Sequence, residues 1–215
     1  MVFMPPDFLV DSAGRATRVA SSASPQTVLA LGDSLYAGYG LPQRDSLPAQ
    51  LEARLRGQGH DVRLVNEGVS GDTTAGGVRR LAPALARLTQ LPELVMLGLG
   101  ANDALRLIPP PQVRANLKTM LELCRERGLR TLLTGMQVPE FLAPAYARAY
   151  NVIWPELARE YGAALDPFIL AGVVGQRELL LADRIHPNAR GVGIMADRLA
   201  PLVARLLWER RRAAA

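Results

Sequence analysis

Val28-Leu29-Ala30-Leu31-Gly32-Asp33-Ser34-Leu35 decides how this chain is read. Four apolar residues run into a glycine, and a hydroxyl follows two positions later. A short continuous apolar run is the pattern of a strand covered on both faces, as in a parallel sheet between two layers of helices. Open sheets of that kind bind ligands outside the carboxyl ends of their strands. Ser34 is therefore expected at the working edge of a sheet.

The rest of the chain repeats the pattern. Apolar runs at 27–32, 62–66, 94–99, 130–135 and 163–166 are expected strands. Between them, amphipathic spacing predicts helices over 46–56, 72–88, 112–127 and 143–161, and a last one over about 188–211. Strands alternating with helices imply a doubly wound parallel sheet in one α/β domain. Residues 1–26 break the pattern. Pro5-Pro6 interrupts the apolar start, and the small residues of Ala20–Pro25 have no apolar core before them. This stretch is read as a weakly structured N-terminal extension, with residues 27–215 as the domain; it lacks the features of a signal peptide.

Composition narrows the function classes. Of 215 residues, 49% are hydrophobic and 21% charged, an ordinary globular balance. The net charge of +5 is spread over arginines on helices rather than gathered into a basic face with aromatics, so nucleic acid is not an expected partner. With one cysteine and two histidines, neither an intrachain disulfide nor a zinc site of the usual ligands is expected. No apolar stretch has the length of a membrane span.

In a parallel sheet every strand-to-helix loop opens on the same edge, so their polar residues converge. Those loops carry Asp33-Ser34, Asn66–Asp72, Gly100-Ala101-Asn102-Asp103 and Met136-Gln137, and Asp183 and His186 precede the last helix. Acyl transfer needs a nucleophile, a base, an orienting acid and donors for an oxyanion. Ser34 is the candidate nucleophile. His60 falls at the opposite edge, which leaves His186 as base, with Asp183 three residues earlier to orient its ring. The candidate oxyanion donors are the Ser34 N–H, the Gly71 N–H and the Asn102 amide. Taken alone, Gly32-Asp33-Ser34 reads equally well as a helix cap, and Asp33 as a local hydrogen-bonder. No Gly-x-Ser-x-Gly elbow occurs, against an ordinary α/β-hydrolase.

The blocks Gly32-Asp33-Ser34-Leu35, Gly71, Gly100-Ala101-Asn102-Asp103 and Asp183-Arg184-Ile185-His186 resemble the SGNH (GDSL) hydrolase superfamily. Gly32–Gly40, Asn66–Thr74, Leu97–Arg106 and Ile185-His186-Pro187-Asn188 are most similar to its bacterial acyl-CoA thioesterase I, lysophospholipase L1 and arylesterase group. The resemblance implies a three-layer flavodoxin-like sandwich with a five-stranded sheet. It implies a Ser34–His186–Asp183 triad and the three oxyanion donors above. It also implies hydrolysis of esters or thioesters of short to medium acyl chains, with no cofactor or metal, and a periplasmic or secreted location, while the N-terminal stretch leaves a cytoplasmic one open. Val138-Pro139-Glu140-Phe141-Leu142 departs from the group's usual proline pair. Leu35, Leu107, Ile108, Phe141 and Leu142 are candidate lining of an acyl groove. The expected partner is a small acyl ester or thioester, and the expected state a monomer or weak oligomer. The rival readings are a carbohydrate O-deacetylase on the same scaffold, disfavoured by 5% aromatics, and a non-catalytic acyl- or lipid-binding module.

Overall fold

The computed structural model describes residues 8–10, 16–18 and 25–214. Its strands are β1 (Phe8–Val10), β2 (Ala16–Arg18), β3 (Gln26–Gly32), β4 (Val62–Gly68), β5 (Leu94–Gly98), β6 (Thr131–Thr134) and β7 (Ala164–Asp166). The helices are α1 (Ser34–Ala37), α2 (Leu47–Gly57), α3 (Thr74–Ala86), α4 (Ala101–Leu105), α5 (Pro110–Glu126), α6 (Pro144–Asn151), α7 (Ile153–Tyr161) and α8 (Ala189–Ala214). Strands β3 to β7 form one parallel sheet in the order β4-β3-β5-β6-β7. This is the expected five-stranded, doubly wound architecture. β1 and β2 pair antiparallel by themselves. The remainder of the expected N-terminal extension, up to residue 24, lies outside the described residues.

The continuous apolar runs have a simple use. Along β3, Val28 and Ala30 face one helix layer while Leu29 and Leu31 face the other. The first layer is made by α2 and α8, through Leu47, Leu51, Leu55, Met195, Leu199 and Leu207. The second is made by α3, α5 and α7, through Leu81, Leu117, Leu121, Trp154 and Leu157. All four of those β3 side chains are fully buried, each contributing on the order of 1–3 kcal/mol of transfer free energy. The sheet is thus the middle of a three-layer sandwich.

β3 sits where the strand order reverses, with β4 on one side and β5 on the other. Such a switch point opens a crevice at the carboxyl edge. Gly32 is in register with Gly68 of β4 and with Gly98 of β5. Absent side chains at Gly32 and Gly98 admit the ring of Tyr36, which a Cβ at either position would meet within 2.4 Å. The buried Tyr36 hydroxyl is 3.0 Å from Thr134 Oγ1, which fixes α1 across the sheet end.

One element differs from its sequence reading. The helix expected over 143–161 is two helices, α6 and α7, meeting at Val152. Pro155 has no N–H to donate to Asn151 O, and its ring crowds that carbonyl. Asn151 instead turns its side-chain amide to the Val138 backbone, accepting from Val138 N at 2.8 Å and donating to Val138 O at 2.9 Å.

Candidate active site

Ser34 begins α1 directly after β3. Asp33 caps that one-turn helix: its Oδ1 accepts from Leu35 N at 3.0 Å. Asp33 is buried, and the loss of water pushes its carboxyl up to about 7, with the carboxylates of Asp103 and Asp72 adding to the rise. Ser34 is itself largely buried.

The partner of Ser34 arrives from the far end of the chain. Residues 179–188 form a compact loop closed by Leu181 N donating to His186 O (2.8 Å) and Asn188 N donating to Leu179 O (2.9 Å). Inside it, Asp183 Oδ1 accepts from the backbone N–H groups of Ile185 (2.9 Å) and His186 (3.0 Å). Its Oδ2 lies 2.7 Å from His186 Nδ1, and His186 Nε2 lies 3.0 Å from Ser34 Oγ. With Nδ1–H donating to the carboxylate, Nε2 is the acceptor for the serine hydroxyl. The His186 and Ile185 N–H groups, with the ring bond, hold the Asp183 carboxyl down at about 2. The carboxylate is therefore charged at neutral pH, as an orienting acid must be.

The expected oxyanion donors stand on the loops beside Ser34. Gly71 lies three residues beyond Gly68 and has φ +80, a backbone conformation that suits glycine. Asn102 lies four residues beyond Gly98, in α4. Among the described residues the Ser34 N–H, the Gly71 N–H and the Asn102 amide meet no protein acceptor. Donors of this kind are what an oxyanion hole requires.

Several residues that the sequence reading missed hold these loops in place. Arg80 of α3 donates to Gly32 O (3.1 Å) and Glu67 O (2.8 Å), and its Nε to Asp72 Oδ2 (2.8 Å). It thereby joins the strand before Ser34 to the loop of Gly71. Buried Asp103, next to Asn102, accepts from Thr74 N (2.9 Å) and Thr74 Oγ1 (2.6 Å). Asn116 Nδ2 donates in turn to Thr74 Oγ1 (2.9 Å). Burial raises the Asp103 carboxyl, and the Thr74 bonds oppose the rise. Arg106 reaches back to donate to Gly71 O at 2.8 Å. Tyr39 packs against His186 with ring centroids 4.4 Å apart. The sequence signal for Arg80 was its place two turns into a helix that starts at this edge.

Comparison with known proteins fits this geometry. The sequence model of the GDSL-like lipase/acylhydrolase family matches residues 30–194. The chain belongs to that family. Esterase TesA of Pseudomonas aeruginosa is 38% identical over 189 residues, 88% of this chain and 93% of that protein. Thioesterase 1/protease 1/lysophospholipase L1 of Escherichia coli (strain K12) is 34% identical over 186 residues, 85% of this chain and 87% of that protein. Among solved structures, AlinE4, an SGNH-hydrolase family esterase, superposes with TM-score 0.73 at 42% identity, covering 86% of this chain and 98% of its own.

The expected acyl-groove residues of this GDSL-family chain do not share one environment. Leu35 lines a narrow apolar cavity with Leu99, Met136 and Ile169. Leu107, Phe141 and Leu142 are exposed, Phe141 at 84%, and none of them lines that cavity. Ile108 packs against the α5 layer, its carbonyl accepting from the Tyr146 hydroxyl at 2.9 Å. Among the described residues no helix is long and apolar enough to cross a membrane.

Proposed function

We propose that this chain is a serine esterase that hydrolyses carboxylic esters of short to medium acyl chains, and thioesters with them, through an acyl-Ser34 intermediate. The observation that carries the reading is the unbroken run from Ser34 Oγ through His186 to Asp183, at 3.0 and 2.7 Å. In the proposed reaction Ser34 Oγ attacks the acyl carbonyl while His186 Nε2 takes its proton. Asp183 stays ionised and stabilises the imidazolium. The oxyanion settles on Ser34 N, Gly71 N and Asn102 Nδ2. The tetrahedral intermediate collapses, His186 returns the proton to the departing alcohol or thiol, and the acyl group remains on Ser34. A water, deprotonated by His186, then attacks the acyl-serine, and collapse releases the acid and restores the hydroxyl.

The acyl chain is proposed to run from the Leu35 cavity across Leu107, Ile108, Phe141 and Leu142. Relatives named esterase and thioesterase support this substrate class. Hydrolysis of p-nitrophenyl acetate and butyrate by the purified chain is the test. Ser34→Ala is expected to lose at least about 10³-fold in kcat. Equal rates for the two proteins overturn the reading, and a C2 to C12 ester series measures the length of the groove.

A further inference from the structure

The two hydrogen bonds of His186 sit at opposite ends of its ring. Nδ1 meets Asp183 Oδ2 and Nε2 meets Ser34 Oγ. Together with the covalent link through Cβ they set the ring's plane, and a neighbouring face can hold it there more tightly. The His186 side chain keeps 20% exposure and that of Asp183 34%. Against one face of the imidazole lies Tyr39, its ring centroid 4.4 Å away at an interplanar angle of 34°.

The backbone explains how Tyr39 gets there. Gly38 N (3.1 Å) and Tyr39 N (3.2 Å) both donate to Ser34 O. Gly38 and Gly40 have φ +78 and +71, so the chain folds back on itself over the serine. At Gly40 a Cβ would come within 2.8 Å of Leu181 Cδ1, in the loop that carries His186. The aromatic arm is therefore anchored to the carbonyl of Ser34 and rests on the loop of the histidine.

We infer that Tyr39 is a positioning residue for the reaction, holding the His186 ring in the plane that aims Nε2 at Ser34 Oγ and favouring the imidazolium as it forms. An aromatic face attracts a cation. His186 becomes a cation only as the serine proton moves, so the contact strengthens on the way to the transition state and acts on kcat rather than on KM. This inference rests on His186 being the base, as proposed above.

The test compares Tyr39→Leu, which keeps apolar bulk without an aromatic face, with Tyr39→Phe. Tyr39→Leu is expected to lower kcat about fivefold, with KM within about twofold, and Tyr39→Phe to recover most of that loss. Tyr39 is 50% exposed, so both variants should fold, and an unchanged Tm checks this. The chain has two histidines, and His60→Gln assigns the ring-proton NMR signals. The His186 protons should lie upfield of those of His60 in the parent and in Tyr39→Phe, and lose that displacement in Tyr39→Leu. An unchanged kcat in Tyr39→Leu overturns the inference. So does a Tyr39→Phe as slow as Tyr39→Leu, which would assign the effect to the hydroxyl. So does a raised KM with kcat intact, which would make the ring a substrate platform. Active Ser34→Ala and His186→Ala proteins would instead remove the proposed function itself, whatever Tyr39 does.

Discussion

Two aspartates flank the Ser34–His186 pair, and their surroundings drive them in opposite directions. Asp33 precedes Ser34 at the end of β3, buried and bonded to one N–H, with its carboxyl pushed up to about 7. Asp183 precedes His186 in an exposed loop, bonded to two N–H groups and an imidazole, with its carboxyl held at about 2. Residue type and nearness to the serine favour neither. Solvent and donors decide: the acid fit to hold a negative charge beside an imidazolium is the one with water and three hydrogen bonds. The buried one serves the fold, as a helix cap.

The sharpest break of this contrast is the same substitution at both acids. Asp183→Asn should lower kcat by about 10³–10⁴, because the amide no longer selects the His186 tautomer with a proton on Nδ1. Asp33→Asn keeps an Oδ1 to accept from Leu35 N, and should retain kcat within about tenfold. Steady-state kinetics on p-nitrophenyl butyrate measures both, and comparable losses would erase the distinction.

Next in size comes the other side of the serine. Asn102→Ala removes a donor and leaves the triad bonds in place. Its expected cost is about 10²–10³ in kcat with little change in KM. Unaltered kcat would remove Asn102 from the oxyanion hole.

The smallest effect is in stability. An acid raised in the folded state favours folding below its unfolded value near 4 and loses that contribution as pH rises through the folded value near 7. Asp33 thus makes the parent less stable between about pH 4 and 7, by up to about 4 kcal/mol for a shift of roughly three units. Asp183 has the opposite sign: its contribution is present above pH 4 and is lost as pH falls toward 2. Tm followed from pH 4 to 8 should fall several degrees further for the parent than for Asp33→Asn. Parallel curves would mean that Asp33 is ionised in the fold.

The sheet was legible in the sequence because fully buried strands leave apolar runs, and parallel topology places every following loop on one edge. The pairing of Ser34 with His186 and Asp183 was legible because so few histidines competed. The helix break at Val152 was also within reach, since Pro155 carries its own warning. Arg80 and Tyr39 were not. One is an arginine among many on helices, and the other an aromatic in a glycine turn. Each acquires its role only from what the folded chain lays against it: the Gly32 and Glu67 carbonyls for Arg80, the His186 ring for Tyr39. The exposed residues Phe141 and Leu142 were hard to place for another reason. An exposed apolar side chain has no packing partner to fix its position.

The bond from Ser34 to His186 spans 152 residues, from the first strand of the sheet to the loop before α8. During synthesis Ser34 emerges 152 residues before His186. The α8 contacts that anchor that end follow later still: Arg54 Nη2 donating to Gly193 O at 3.1 Å, and Arg198 Nη2 to Ile169 O at 2.7 Å. Until residue 186 emerges, Ser34 lacks the imidazole that it meets in the fold. The Ser34–His186 contact therefore forms only once the sheet and the loop before α8 are both in place, so it reports closure of the whole sandwich.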